Sequence, residues 1–115
     1  MTPASMLQLL QGYLQVTNDR QQMIASNMAN ADTPGYQTRD INFQAALQNA
    51  MDPGDGMQLQ PASVEVQGLP ESPDGNNVSI DRESMMMSET QLQYQMGVQL
   101  IKQEFSTLLS AIKES

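Results

Sequence analysis

Prolines and glycines divide this chain into three parts. Four of the six prolines and four of the seven glycines fall between residues 47 and 77. Proline removes a backbone donor and clashes with the preceding helical turn, so long helices are confined to the stretches on either side. Both flanks carry apolar residues at alternating spacings of three and four. On the N-terminal side the stripe runs through Leu7, Leu10, Leu14, Thr17, Gln21, Ile24 and Met28, with polar residues in its middle. On the C-terminal side it runs through Met87, Gln91, Tyr94, Val98, Ile101, Phe105, Leu108 and Ile112. Such spacing predicts helices over 5–29 and 81–113 with one heptad seam each. Ser5 is the expected N-cap of the first and Asp81 of the second.

The expected fold is mainly α: long N- and C-terminal helices paired as an antiparallel coiled coil, a connector over 30–46, and a loop-rich middle over 47–80. The middle is expected to hold at most a small hairpin, with Val64-Glu65-Val66 and Val78-Ser79-Ile80 as its short alternating pieces. At 115 residues the chain makes one small domain with a modest core. Each helix also has apolar residues off its seam: Met6, Leu9, Tyr13, Val16 and Met23 on the first, Met85, Leu92, Met96, Leu100 and Leu109 on the second. A two-helix pair has little else to cover them, so these flanks are expected to meet neighbouring subunits.

Composition removes several functions. There is no histidine and no cysteine, hence no thiol nucleophile, no disulfide and none of the usual general base. Carboxylate pairs exist at Asp52 and Asp55 and at Glu71 and Asp74, but in turn-rich, solvated sequence. The run from Asp74 to Asp81 has Val78 where a calcium loop needs an acid. Met85, Met86 and Met87 are consecutive on a helix and cannot converge on one metal ion. No catalytic, cofactor or metal site is expected. Five basic residues against thirteen acidic ones give a net charge of −8, which disfavours nucleic acid and anionic membrane surfaces as partners. The N-terminal residues have neither a basic leader nor a long apolar run, so neither a cleaved signal peptide nor membrane insertion is expected.

The most informative stretch is the connector. Asn27 and Asn30 are followed by Thr33-Pro34-Gly35-Tyr36. Pro34 presets φ for the second position of a tight turn, and Gly35 supplies the positive φ that a type II turn needs at the third. Asn30 is a candidate left-handed residue ending the first helix. The string from Ala25 through Tyr36 resembles the N-terminal signature of the flagellar axial proteins of bacteria, the rod, hook and hook-associated family. The resemblance continues at Arg39, Asp40 and Phe43, then at Asp74 to Val78, Asp81 to Glu83 and Leu92 to Gln95. In so short a chain this set is similar to the B-type rod proteins; a C-type rod protein, a coiled-coil adaptor and an export chaperone are the alternatives.

The resemblance implies a structural subunit of the proximal rod of the flagellar basal body. Such a subunit would be exported by the flagellar type III apparatus, cross the periplasm, and polymerise with copies of itself and other rod proteins to carry torque. Asn27, Asn30, Thr33, Pro34, Gly35 and Tyr36 are the assembly-motif positions it implies, with the connector packed on adjacent subunits. Leu7, Leu10, Leu14, Ile24, Tyr94, Val98, Ile101, Phe105, Leu108 and Ile112 are the apolar seam residues.

Overall fold

A computed structural model describes residues 3–51 and 63–114. Two long helices run antiparallel: α1 over Pro3–Ala29 and α3 over Ile80–Glu114. Between them lie β1 (Arg39–Ile41), α2 (Phe43–Met51) and β2 (Ser63–Glu65). The molecule measures 66 × 32 × 19 Å. The mainly helical, paired architecture agrees with the expectation, including the small hairpin. Its ladder pairs Arg39 with Glu65 and Ile41 with Ser63, so one strand belongs to the connector rather than to the middle.

The local signals differ in instructive ways. Pro3 occupies the first helical position, where its missing donor costs nothing, and this places Ser5 inside α1 rather than at its cap. α3 is capped by Ser79, not Asp81: the Arg82 amide donates to Ser79 Oγ at 3.2 Å. Asp81 and Glu83 lie in the first turn instead. Val78 and Ser79 are therefore the approach to a helix and not a strand. Asn30 is not left-handed, since among the described residues only glycines have positive φ. The turn cluster from Asp52 to Gly56 lies outside the described residues.

α2 is not among the expected elements, and Gly12 explains where it goes. A Cβ on Gly12 would meet Ala50 Cβ at 3.4 Å and Leu47 Cδ1 at 3.5 Å. The glycine that weakens α1 as a helix is thus where α2 crosses it. Phe43 meets Tyr13 edge-on with ring centroids 5.4 Å apart, anchoring the start of α2.

The line of closest approach on α3 also differs from the apolar seam. Glu83, Thr90 and Gly97, at heptad spacing, are its buried residues. Tyr94, Phe105 and Ile112 are exposed, while Val98, Ile101 and Leu108 are half-buried. The cause is close helix approach. A Cβ on Gly97 would lie 2.7 Å from Leu14 Cδ2 and 3.0 Å from Tyr13 Cδ1. Small residues therefore take the centre of the contact and the larger apolar ones are pushed to its flanks. On α1, Leu10, Val16, Thr17 and Ile24 are buried, and Leu7 and Leu14 are half-buried. The two buried helical threonines satisfy their hydroxyls within their own helices, Thr17 on Leu14 O at 2.8 Å and Thr90 on Met86 O at 2.7 Å.

Four buried hydrophobic residues stand beside seven buried polar ones among the described residues. The apolar core is therefore slight, and the shape of the subunit rests on how the polar groups are paired.

Candidate assembly site

The polar groups converge where α1 ends and α3 begins. Asn27, in the last turns of α1, is fully buried and uses its whole hydrogen-bonding capacity. Its Nδ2 donates to Arg39 O at 2.7 Å and to Glu83 Oε1 at 2.9 Å. Its Oδ1 accepts from Tyr36 Oη at 3.0 Å and from the Arg39 amide at 3.2 Å. One side chain thus takes both backbone groups of Arg39, as a neighbouring strand would, while joining α1, the connector and α3.

The turn after α1 forms as its residues require. Tyr36 N donates to Thr33 O at 3.2 Å, and Gly35 has φ 76°. Asn30 holds the turn to its helix: Nδ2 donates to Ser26 O at 2.8 Å and Oδ1 accepts from Thr33 Oγ1 at 3.0 Å.

Residues 72–78 clamp this turn from the other side. The Gly35 amide donates to Asp74 O at 2.9 Å. Gly75, with φ 87°, lets the two backbones approach; its Cβ would lie 3.4 Å from Gly35 Cα. Asn76 Nδ2 donates to Asn30 O at 2.9 Å and Thr33 O at 2.8 Å, a second donor for two carbonyls of the turn that follows α1. Asn77 Oδ1 accepts from the Thr38 amide at 2.6 Å, and its Nδ2 donates to Gln37 Oε1 at 3.0 Å. The two separated stretches, Asn27 to Asp40 and Asp74 to Glu83, are the two halves of one knot.

An ion network closes its edge. Arg20 on α1 grips Asp40 with two bonds, Nε to Oδ1 at 3.1 Å and Nη2 to Oδ2 at 3.3 Å. Arg82 Nη2 lies 3.8 Å from the same carboxylate and its Nη1 donates to Glu83 Oε1 at 3.0 Å. Glu83 is 1% exposed, and its Oε2 has no protein partner. Burial pushes the Glu83 carboxyl above the usual carboxylate range, against the pull of Arg82 and the Asn27 amide.

The knot lies within one chain. The connector packs against residues 72–83 of its own chain. Of the six motif residues, Asn27 is buried, Asn30 and Tyr36 are half-buried, and Thr33, Pro34 and Gly35 form an exposed tip. Sequence reasoning does not find the roles of Asn76, Asn77, Arg20 and Glu83. Asn76 and Asn77 read as turn residues, and only their co-occurrence with the Asn27 string points to more. Among the described residues, no group of three or more acidic side chains is placed to hold a metal ion, and no helix is long and apolar enough to cross a membrane.

Comparison with known proteins is consistent with this layout. The sequence profile of the family described as "Flagella basal body rod protein" matches residues 10–37, which is most of α1 and the turn after it. The chain is 32% identical to "Flagellar basal body rod protein FlgB" of Escherichia coli (strain K12), over 93% of this chain and 92% of that protein. A protein of the same name from Aeromonas hydrophila is 34% identical over 87% of this chain and 86% of its own length. That from Yersinia ruckeri is 31% identical over 94% and 93%. With similarity of this extent, the chain belongs to the flagellar basal body rod protein family.

Proposed function

We propose that this chain is a B-type structural subunit of the proximal rod, polymerising through the outer flanks of its terminal helices to transmit motor torque. The observation that carries the reading is the distribution of apolar surface on α3. Met85, Leu92, Met96 and Leu100 are exposed along one flank of the α1 contact, and Phe105 and Leu109 along the other. Exposed apolar groups repeated along a helix, in a protein with so small a core, favour burial by neighbours. The knot plays a different part. It fixes how the connector leaves α1, so that the exposed Thr33-Pro34-Gly35 tip is held at a set angle to the helix pair.

The partners on this reading are copies of the chain and other rod proteins. Delivery by the flagellar type III export apparatus and residence in the periplasm-spanning rod belong to the same proposal. No step requires a cofactor. The test is complementation of a strain lacking this gene, with the chain carrying Leu92→Ser and Leu100→Ser. Export without incorporation into purified basal bodies, and loss of swimming, is the expected outcome. Full swimming with normal incorporation refutes polymerisation through that flank.

A further inference from the structure

We propose that Glu83 is a proton-operated lock on the knot: closing the connector onto α3 takes up one proton at its unpartnered oxygen, and loss of that proton loosens the closure. The two oxygens of this carboxyl differ in their surroundings. Oε1 accepts from Asn27 Nδ2 at 2.9 Å and from Arg82 Nη1 at 3.0 Å. Oε2 is buried with no protein donor. An ionised carboxylate spreads its charge over both oxygens, so half of it would rest on a buried atom with no protein donor. With the proton on Oε2, Oε1 remains a carbonyl oxygen and keeps both of its bonds. Thus the side chain goes from –COO⁻ to –COOH, the proton comes from solvent, and no bond of the knot is given up.

The charges around it do not reverse this. Arg82 favours ionisation from the same helix, and Arg20 stands across from it on α1, but Asp40 on β1 takes two bonds from Arg20 and the second arm of Arg82. Arg39, also on β1, turns its guanidinium outward to Ser63 and to Glu65 at 3.8 Å. Tyr36 offers its hydroxyl to Asn27, not to Glu83. A carboxyl raised in the folded state contributes its stability in full below the unfolded carboxylate range. That contribution is lost as pH rises through the raised folded value. The lock is therefore tight in mildly acidic solution and slackens towards alkaline pH.

The test uses the full chain, held folded with trimethylamine oxide, and follows urea unfolding between pH 5 and 8.5. Glu83→Gln mimics the protonated side chain and cannot titrate; Glu89→Gln, at an exposed position on the same helix, is the control. The unfolding constant of the wild type and of E89Q should rise with pH between the unfolded carboxylate range and the Glu83 titration, by up to about tenfold per pH unit, the limit for one proton. That of E83Q should stay flat over the same range. Parallel curves for the wild type and E83Q would overturn the proposal. Should E83Q not fold, the side-chain carboxyl ¹³C resonance of Glu83 in the folded wild type decides. A midpoint above that of Glu89 supports the lock, and a coincident midpoint overturns it.

Discussion

Replacing Asn27 by leucine separates two accounts of the end of α1. Leucine has nearly the same shape, and the residue is fully buried in the helix contact. If the site were only a packing position, the change would add apolar burial worth about 1.5–3 kcal/mol. In the knot, leucine removes four hydrogen bonds. Glu83 Oε1 keeps Arg82, and the half-buried Tyr36 hydroxyl can turn to solvent. The Arg39 amide and carbonyl both lose the Asn27 groups that pair them. Each buried orphan costs about 1–3 kcal/mol, so the two together cost about 2–6. The net expectation is destabilisation of about 2 kcal/mol, a large share of what a small domain has. Urea unfolding followed by far-UV circular dichroism measures it. Hydrogen exchange at the Arg39 amide should quicken by about 30-fold for that change in free energy. Unchanged or higher stability in N27L would refute the reading of Asn27 as the centre of the knot.

Gly75→Ala and Gly35→Ala should each destabilise by roughly 1–2 kcal/mol in the same unfolding assay, because both positions need positive φ. A Cβ at 75 would meet Gly35 Cα only at an ordinary contact distance of 3.4 Å. Gly97→Val should cost more than Gly12→Ala, since a Cβ at 97 already lies within 2.7 Å of Leu14 whereas one at 12 finds 3.4 Å; thermal melts of the two variants compare them. Phe105→Ser with Leu109→Ser should leave unfolding of the isolated chain within about 0.5 kcal/mol, as expected of exposed positions, yet abolish swimming on soft agar. Asp40→Asn should weaken the hold of β1 on α1 by about 1 kcal/mol, the pair with Arg20 being only partly shielded, and the effect should lessen with added salt.

The helices are legible in the sequence because periodicity and proline placement report directly on backbone structure. The Thr33–Tyr36 turn is legible for the same reason, each of its residues being tied to a dihedral angle. The α3 contact line is not, because apolar spacing reports where hydrophobic groups lie and not where two helices come closest. Gly97 and Thr90 take that line since they are small, and this is visible only once Leu14 and Tyr13 face Gly97. The knot is hidden for a related reason. Asn27, Asn76, Asn77 and Glu83 are ordinary turn or surface residues one at a time, and their meaning is in pairings across 39 to 56 positions of sequence. α2 escapes notice because nine residues next to a turn-rich segment carry too little periodic signal.

α3 is also longer than the helix it lies on, 35 residues against 27. With Gly97 facing Leu14 and Tyr13, nearly two turns of α3 run past the level of Pro3, by about 10 Å. An overhang of this kind extends apolar flank beyond the cover that α1 can give.

Introduced thiols measure the central claim most directly, because the chain has no cysteine of its own. The single variants Leu100→Cys, Leu109→Cys and Val16→Cys would be treated with a short bis-maleimide in purified basal bodies. Bonds between subunits at positions 100 and 109, and none at the buried position 16, are the result expected if the flanks of α3 meet neighbours while the α1–α3 contact stays within one chain. Basal bodies that contain the protein but yield no intersubunit bond at position 100 or 109, or that yield one at position 16, would contradict it.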